Sequence, residues 1–141
     1  PTRIDLYGTA TLLMHGDLLC TDDHKYMEFR NKVRTQEWQD DFLSKSIQER
    51  DHIVRGLRQE SKDETATKKQ YIMDVNQNAV ETFMRNHDVT QLIHGHTHRP
   101  ANHTLSIQNL PAKRIVLGDW HEQGSVLRCT QHGCILETYS A

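Results

Sequence analysis

The sequence predicts a mixed layered α/β (α+β) domain. Two observations carry that prediction. Short apolar runs punctuated by glycine stand at both ends of the chain, and a long polar stretch with apolar residues four apart lies between them. An order of strands, then helices, then strands suits neither a helical bundle nor a pure sandwich. The 141 residues are enough for one domain with a modest core.

Arg3 to Tyr7 and Thr9 to Met14 read as two strands joined by a tight turn at Gly8. His15-Gly16-Asp17 follows directly. From about Asp22 to Glu60 the pattern is helical: Phe29 and Val33, Trp38 and Phe42, and Ile53 and Leu57 are each four apart. Ser61 to Lys69 has no periodicity and reads as a loop. Ile72, Met73, Val80, Phe83 and Met84 mark one face of an amphipathic helix that runs to about Asn86. Val89 to Ile93 is a short strand. Arg114 to Leu117, Ser125 to Cys129 and Cys134 to Thr138 read as three more, with Gly118, Gly124 and Gly133 as punctuation.

Composition narrows the function classes. A net charge of −2 predicts no strong nucleic-acid field, so no nucleic-acid partner is expected. The mean hydropathy of −0.75 describes a polar surface. No apolar run approaches the roughly 18 residues of a membrane span, and Pro1 to Asp17 lacks the regions of a signal peptide. Cys20, Cys129 and Cys134 form no C-x-x-C pair. Cys129 and Cys134 could flank a hairpin turn, but buried free thiols in a reducing compartment are the expectation.

The chemistry concentrates in Leu92 to His103, which holds His94, His96, His98 and His103. Gly95 lets the backbone turn away after the strand. In an extended segment residues two apart project to one side, so His96 and His98 could reach one metal cluster. Neutral imidazole suits zinc, manganese or iron. Alternation sends His94 to the other side, into packing or a supporting hydrogen bond. A plain polar loop is the competing reading. His15, at the end of another strand, weighs against it, because α/β folds place their chemistry at strand ends.

These residues resemble the calcineurin-like metallophosphoesterases. A strand ending in histidine, followed later by G-H-x-H, is how the second half of that family reads. Within it, "MHGDLLCTDD", "RQESK", "IMDVNQNAV", "LIHGHTHRP" and "RIVLGDW" are similar to the UDP-2,3-diacylglucosamine pyrophosphatase family of lipid A biosynthesis. The resemblance covers essentially the whole chain. It implies an αββα sandwich with a helical lid insertion, at about residues 22–68 here, and two manganese ions between the sheets. It implies hydrolysis of the UDP-linked diacylglucosamine diphosphate to UMP and 2,3-diacylglucosamine 1-phosphate. The implied location is cytoplasmic, peripheral on the inner face of the inner membrane of a Gram-negative bacterium. By the same resemblance His15 and His96 ligate one metal and His98 the other. Asp23, Arg58, Ser61, Thr65, Lys68 and His96 would contact substrate, with Thr65 standing where the family often has asparagine. Arg58 and Lys68 carry the positive charge a diphosphate needs, although each also fits a solvated helix face.

The family's N-terminal D-x-H, G-D and G-N-R-D or G-N-H-D blocks are not in this sequence. Residues 1–141 therefore read as a C-terminal half whose partner is the N-terminal half of the same enzyme. Asp17, Asp119 and His121 stand in reserve as donors if the site is completed within this chain. The lid stretch "EWQDDFLSKSIQERDHI" is less apolar than the family's, yet Trp38, Phe42, Leu43 and Ile47 could line a pocket or enter an interface. Two alternatives stay open: a phosphoesterase with another substrate, and a non-catalytic metal- or ligand-binding remnant.

Overall fold

The computed structural model describes residues 1–67, 72–121 and 123–140, with the backbone alone at Thr65 and Thr67. These residues fall into two units, one of residues 1–20 and 75–141, the other of residues 21–74. Lys68 lies outside the described residues.

The first unit is built on a five-stranded mixed sheet. Its strands are β1 (Thr2–Leu6), β2 (Thr9–Leu13), β3 (Gln91–His94), β4 (Ala101–Ile107) and β5 (Leu110–Val116), ordered β1-β2-β3-β5-β4. β2, β3 and β5 are parallel, and β1 and β4 close the edges antiparallel. Tyr7 and Gly8 both have positive φ, 52° and 82°, as the tightest hairpin turns require. Strands from before and after the helical stretch thus share one sheet, because β3 pairs with β2 and β5 with β3.

One face of this sheet carries the core. Leu12, Leu92, Ala112 and Ile107 meet Val80 and Met84 of helix α4 (Gln77–Asn86), with Leu19 and Val89 completing the cluster. Each of the Leu, Ile, Val and Met side chains contributes about 1.5–3 kcal/mol by leaving water. The sequence pattern overextends α4: Ile72 and Met73 precede it in a turn. The helix starts later because the Asn76 side chain accepts a hydrogen bond from the Ala79 N–H and caps it. The Asn76 N–H itself donates to the Leu19 carbonyl at 2.8 Å.

β4 was not anticipated. Its alternation of His103, Leu105 and Ile107 with Asn102, Thr104 and Ser106 is masked by polar outward residues. Gln108 and Asn109, with φ of 52° and 65°, turn it into β5. A second, two-stranded sheet pairs β6 (Gln123–Thr130) with β7 (Gly133–Ser140). Here the expectation of free buried thiols fails. Cys129 and Cys134 stand directly opposite, their Cα atoms 4.1 Å apart, and form a disulfide across half-buried positions. Cys20 is buried and takes no part in a disulfide.

The second unit is helical: α1 (His24–Val33), α2 (Gln36–Ser44) and α3 (Ile47–Thr67). Caps divide the helical stretch. Asp23 accepts from the Tyr26 N–H and Thr35 from the Trp38 N–H. Ser46 and Glu49 form a reciprocal capping box. The Ser46 hydroxyl and N–H hold the Glu49 carboxyl below its usual pKa. Ser61 to Thr67 is helix, not the expected loop. An exposed helix needs no apolar period, and this stretch has no Gly or Pro. Lys25 pairs with Glu64 at 3.1 Å, and Gln59 bonds Asp63 one turn on. Trp38 and Phe42 stack with ring centres 5.0 Å apart, while Leu43 and Ile47 are exposed. No helix among the described residues is long and apolar enough to cross a membrane.

Candidate metal centre

Three loops leave the same edge of the sheet, after the C-terminal ends of parallel strands β2, β3 and β5. The first holds His15-Gly16-Asp17, the second Gly95 to Pro100, the third Asp119 to His121. Backbone bonds tie them together. The Gly95 N–H donates to the His15 carbonyl at 2.9 Å, and the Leu117 N–H donates to the His94 carbonyl at 2.8 Å.

The result is a pair of adjacent imidazoles. The rings of His15 and His96 lie 4.8 Å apart, tilted by 59°. Two imidazoles bound to one ion at about 2.1 Å, with an angle of about 90–110° between the bonds, carry ring centres about 4.5–5.2 Å apart. The observed separation therefore fits a shared ion. His98 stands with Asp119, at 3.4 Å from Nδ1 to Oδ2, and with His121, at 6.4 Å between ring centres.

The extended geometry anticipated for His96 and His98 does not occur. β3 ends at His94, and the Thr97 N–H donates to the Gly95 carbonyl at 2.8 Å. This closes a three-residue turn centred on His96, with φ of 66°; His98 also has positive φ, 52°. Histidine tolerates this region better than most residues, yet it costs about 1–3 kcal/mol and collects at functional sites. Within the same turn, the Thr97 hydroxyl is buried without a hydrogen-bond partner among the described residues.

His94 is buried beneath the loop. Its Nδ1–H donates to the Gly95 carbonyl at 2.9 Å, so Nε2 is an acceptor, and Arg114 Nη1 donates to it at 3.1 Å. Both ring nitrogens are thereby occupied, which makes His94 a support and not a ligand. Sequence reasoning passed over Arg114, whose position inside a strand disguised it as a surface charge. Gly16 is the closest approach in the site: a Cβ there would lie 2.8 Å from His94 Nδ1 and 3.0 Å from the Gly95 carbonyl oxygen.

Asp17 and Asp119 prove to be neighbours of histidine. Asp17 Oδ1 lies 3.2 Å from His15 Nδ1, with the Asp17 side chain 6 % exposed and His15 63 %. Among the described residues no set of three or more His, Cys, Asp or Glu side chains is disposed to hold an ion by itself. An ion shared by His15 and His96 would need further donors. A cavity of about 510 Å³ is lined by Thr9, Gln91, His103, Lys113 and the Thr130–Cys134 turn, and by none of His15, His96 and His98.

Of the expected substrate contacts, Asp23, Arg58, Ser61 and Thr65 belong to the helical unit. Asp23 caps α1. Arg58 and Ser61, three residues apart on α3, share an exposed helix face, and Thr65 lies in the same helix.

Residues 1–100 match the family model for calcineurin-like phosphoesterase. The chain is 49 % identical over 128 residues to UDP-2,3-diacylglucosamine hydrolase of Klebsiella pneumoniae, covering 91 % of this chain and 53 % of that protein. It is 46 % identical over 138 residues to the protein of the same name from Cellvibrio japonicus, covering 98 % and 58 %. The corresponding figures for Nitrosococcus oceani are 48 % over 133 residues, 94 % and 53 %. The chain spans about half the length of the curated relatives it matches.

Proposed function

The chain belongs to the calcineurin-like phosphoesterase family, and from that premise we propose that it is the C-terminal half of a UDP-2,3-diacylglucosamine hydrolase. The reaction would cleave the diphosphate, releasing UMP and 2,3-diacylglucosamine 1-phosphate, on the cytoplasmic face of the inner membrane. The observation that carries this reading is the His15–His96 pair at chelating separation, set in a sequence about half identical to hydrolases of that name.

The family implies metal ions. His15 and His96 would hold one and His98 the other. Acidic donors from an N-terminal half would complete an αββα site for two manganese ions. Bound divalent ions supply charge neutralisation and an activated water at neutral pH. The remaining work falls to side chains of the chain itself. Arg58 and Lys68 bind diphosphate oxygens, Arg58 with the fork geometry that suits phosphate. Asp23, Ser61 and Thr65 orient the nucleoside and sugar by hydrogen bonds. Leu43 and Ile47, exposed in the helical unit, meet acyl chains or the membrane surface.

The test joins this chain to the N-terminal half of a curated relative and measures UMP release from UDP-2,3-diacylglucosamine with added manganese. Release, lowered by Arg58→Ala through KM or kcat/KM, is expected. Hydrolysis confined to simple phosphomonoesters would move the protein to another phosphoesterase specificity. Absence of turnover with metal bound would make it a binding remnant.

A further inference from the structure

We propose that Asp17 and Asp119 are positioning residues that fix which nitrogen of His15 and of His98 faces the metal. The inference rests on the metal-centre reading above and deepens it. In both pairs a carboxylate oxygen lies within ion-pair distance of the imidazole Nδ1, 3.2 Å for His15 and 3.4 Å for His98. An ionised carboxylate only accepts hydrogen bonds, so it selects the tautomer with its proton on Nδ1. That leaves the Nε2 lone pair of each ring available to an ion. The same contact restrains ring rotation and makes the imidazole a stronger donor.

The two pairs arise from different loops and are built independently. Asp17 starts a short 3-10 turn (Asp17–Leu19) and is almost fully buried, whereas His15 is largely exposed. This division is what a support and its ligand require: the carboxylate is held by the fold and the ring is presented. Asp119 reaches His98 from the loop after β5. The arrangement also carries negative charge to the site without using a coordination position, which a set of neutral imidazoles lacks.

His94 supplies the internal contrast. It points Nδ1–H at a backbone carbonyl and spends Nε2 on Arg114. On this proposal the three imidazoles share the Nδ1–H form, and Nε2 is given over to a protein donor in the buried His94.

The joined full-length protein, stripped of metal and labelled with nitrogen-15, reports the tautomers directly through long-range proton–nitrogen spectra. His15 and His98 are expected in the Nδ1–H form. Finding either as Nε2–H overturns the assignment for that ring. Asp17→Asn and Asp119→Asn preserve shape but remove the obligate acceptor, and each should weaken manganese binding by calorimetry by about 10–100-fold. A change below threefold in both, with circular dichroism unchanged, refutes the positioning role. If Asp17→Asn disturbs the fold, Asp17→Glu decides: partial recovery of the Nδ1–H signal supports the role, and an unchanged defect opposes it. The tautomer and metal readouts use no nucleotide substrate. Their failure is therefore distinguishable from failure of the proposed reaction, which only the UMP assay tests.

Discussion

Adding one methyl group at Gly16 is the sharpest test of how the centre is built. The residue has φ of 113°, and a Cβ would meet His94 Nδ1 at 2.8 Å, the Gly95 oxygen at 3.0 Å and His96 Cβ at 3.3 Å. None of these can easily yield. The imidazole nitrogen is bonded to the Gly95 carbonyl, and the Gly95 N–H is bonded to His15. Gly8 provides the control, because it also has positive φ, 82°, with nothing within 4 Å of its Cβ position. Both Gly→Ala changes carry dihedral strain of about 1–2 kcal/mol and share the unfolded-state entropy gain. Gly16→Ala adds overpacking of about 1–3 kcal/mol, so it should exceed Gly8→Ala by that amount. Urea unfolding of the metal-free joined protein, followed by circular dichroism, measures the difference. Equal costs, to within about 0.5 kcal/mol, would show that the loops do not close on Gly16 as described.

Gly56 lies inside α3 with open space around it, so Gly56→Ala should stabilise by about 0.5–1 kcal/mol in the same unfolding experiment. Arg114→Met strips the donor from buried His94 and should cost about 1–3 kcal/mol; the His15 and His96 ring signals should shift with it. Asp23→Ala removes the α1 cap and should cost about 0.5–2 kcal/mol. Asp23→Asn keeps the cap, so stability should hold while UMP release falls; unaltered kinetics would remove Asp23 from the substrate site.

The parts of the fold legible in the sequence were those with a local signal. Gly8 between two apolar runs marked the β1–β2 hairpin, and the period of Val80, Phe83 and Met84 marked α4. The end of α3 was hidden because it is an exposed run of polar residues, with Glu64 paired to Lys25, and such a run has no apolar period. Cys129 and Cys134 could not be paired from spacing alone, since only the β6–β7 register sets them opposite. At the site, the apolar strands before His15 and His96 pointed to the sheet edge at which the two rings stand side by side. The turn at His96 was not readable, because a positive φ in a non-glycine residue is imposed by surrounding contacts. Nor was the role of Arg114, which depends on β5 lying beside β3 so that its side chain reaches His94.

The hydrogen bond from Asn76 to Leu19 has a bearing on ancestry as well as stability. It clasps the chain where residues 21–74 depart and return, using only atoms of the sheet unit. The excursion between them is therefore a cassette on a closed stem. Its length and composition can drift with little penalty to the sheet, because the entropy of closing a loop grows only with the logarithm of its length. A lineage could exchange this cassette for another and keep the His15–His96 pair intact. An engineer could do the same, grafting a different helical module between Cys20 and Val75 while leaving the sheet unit as it stands.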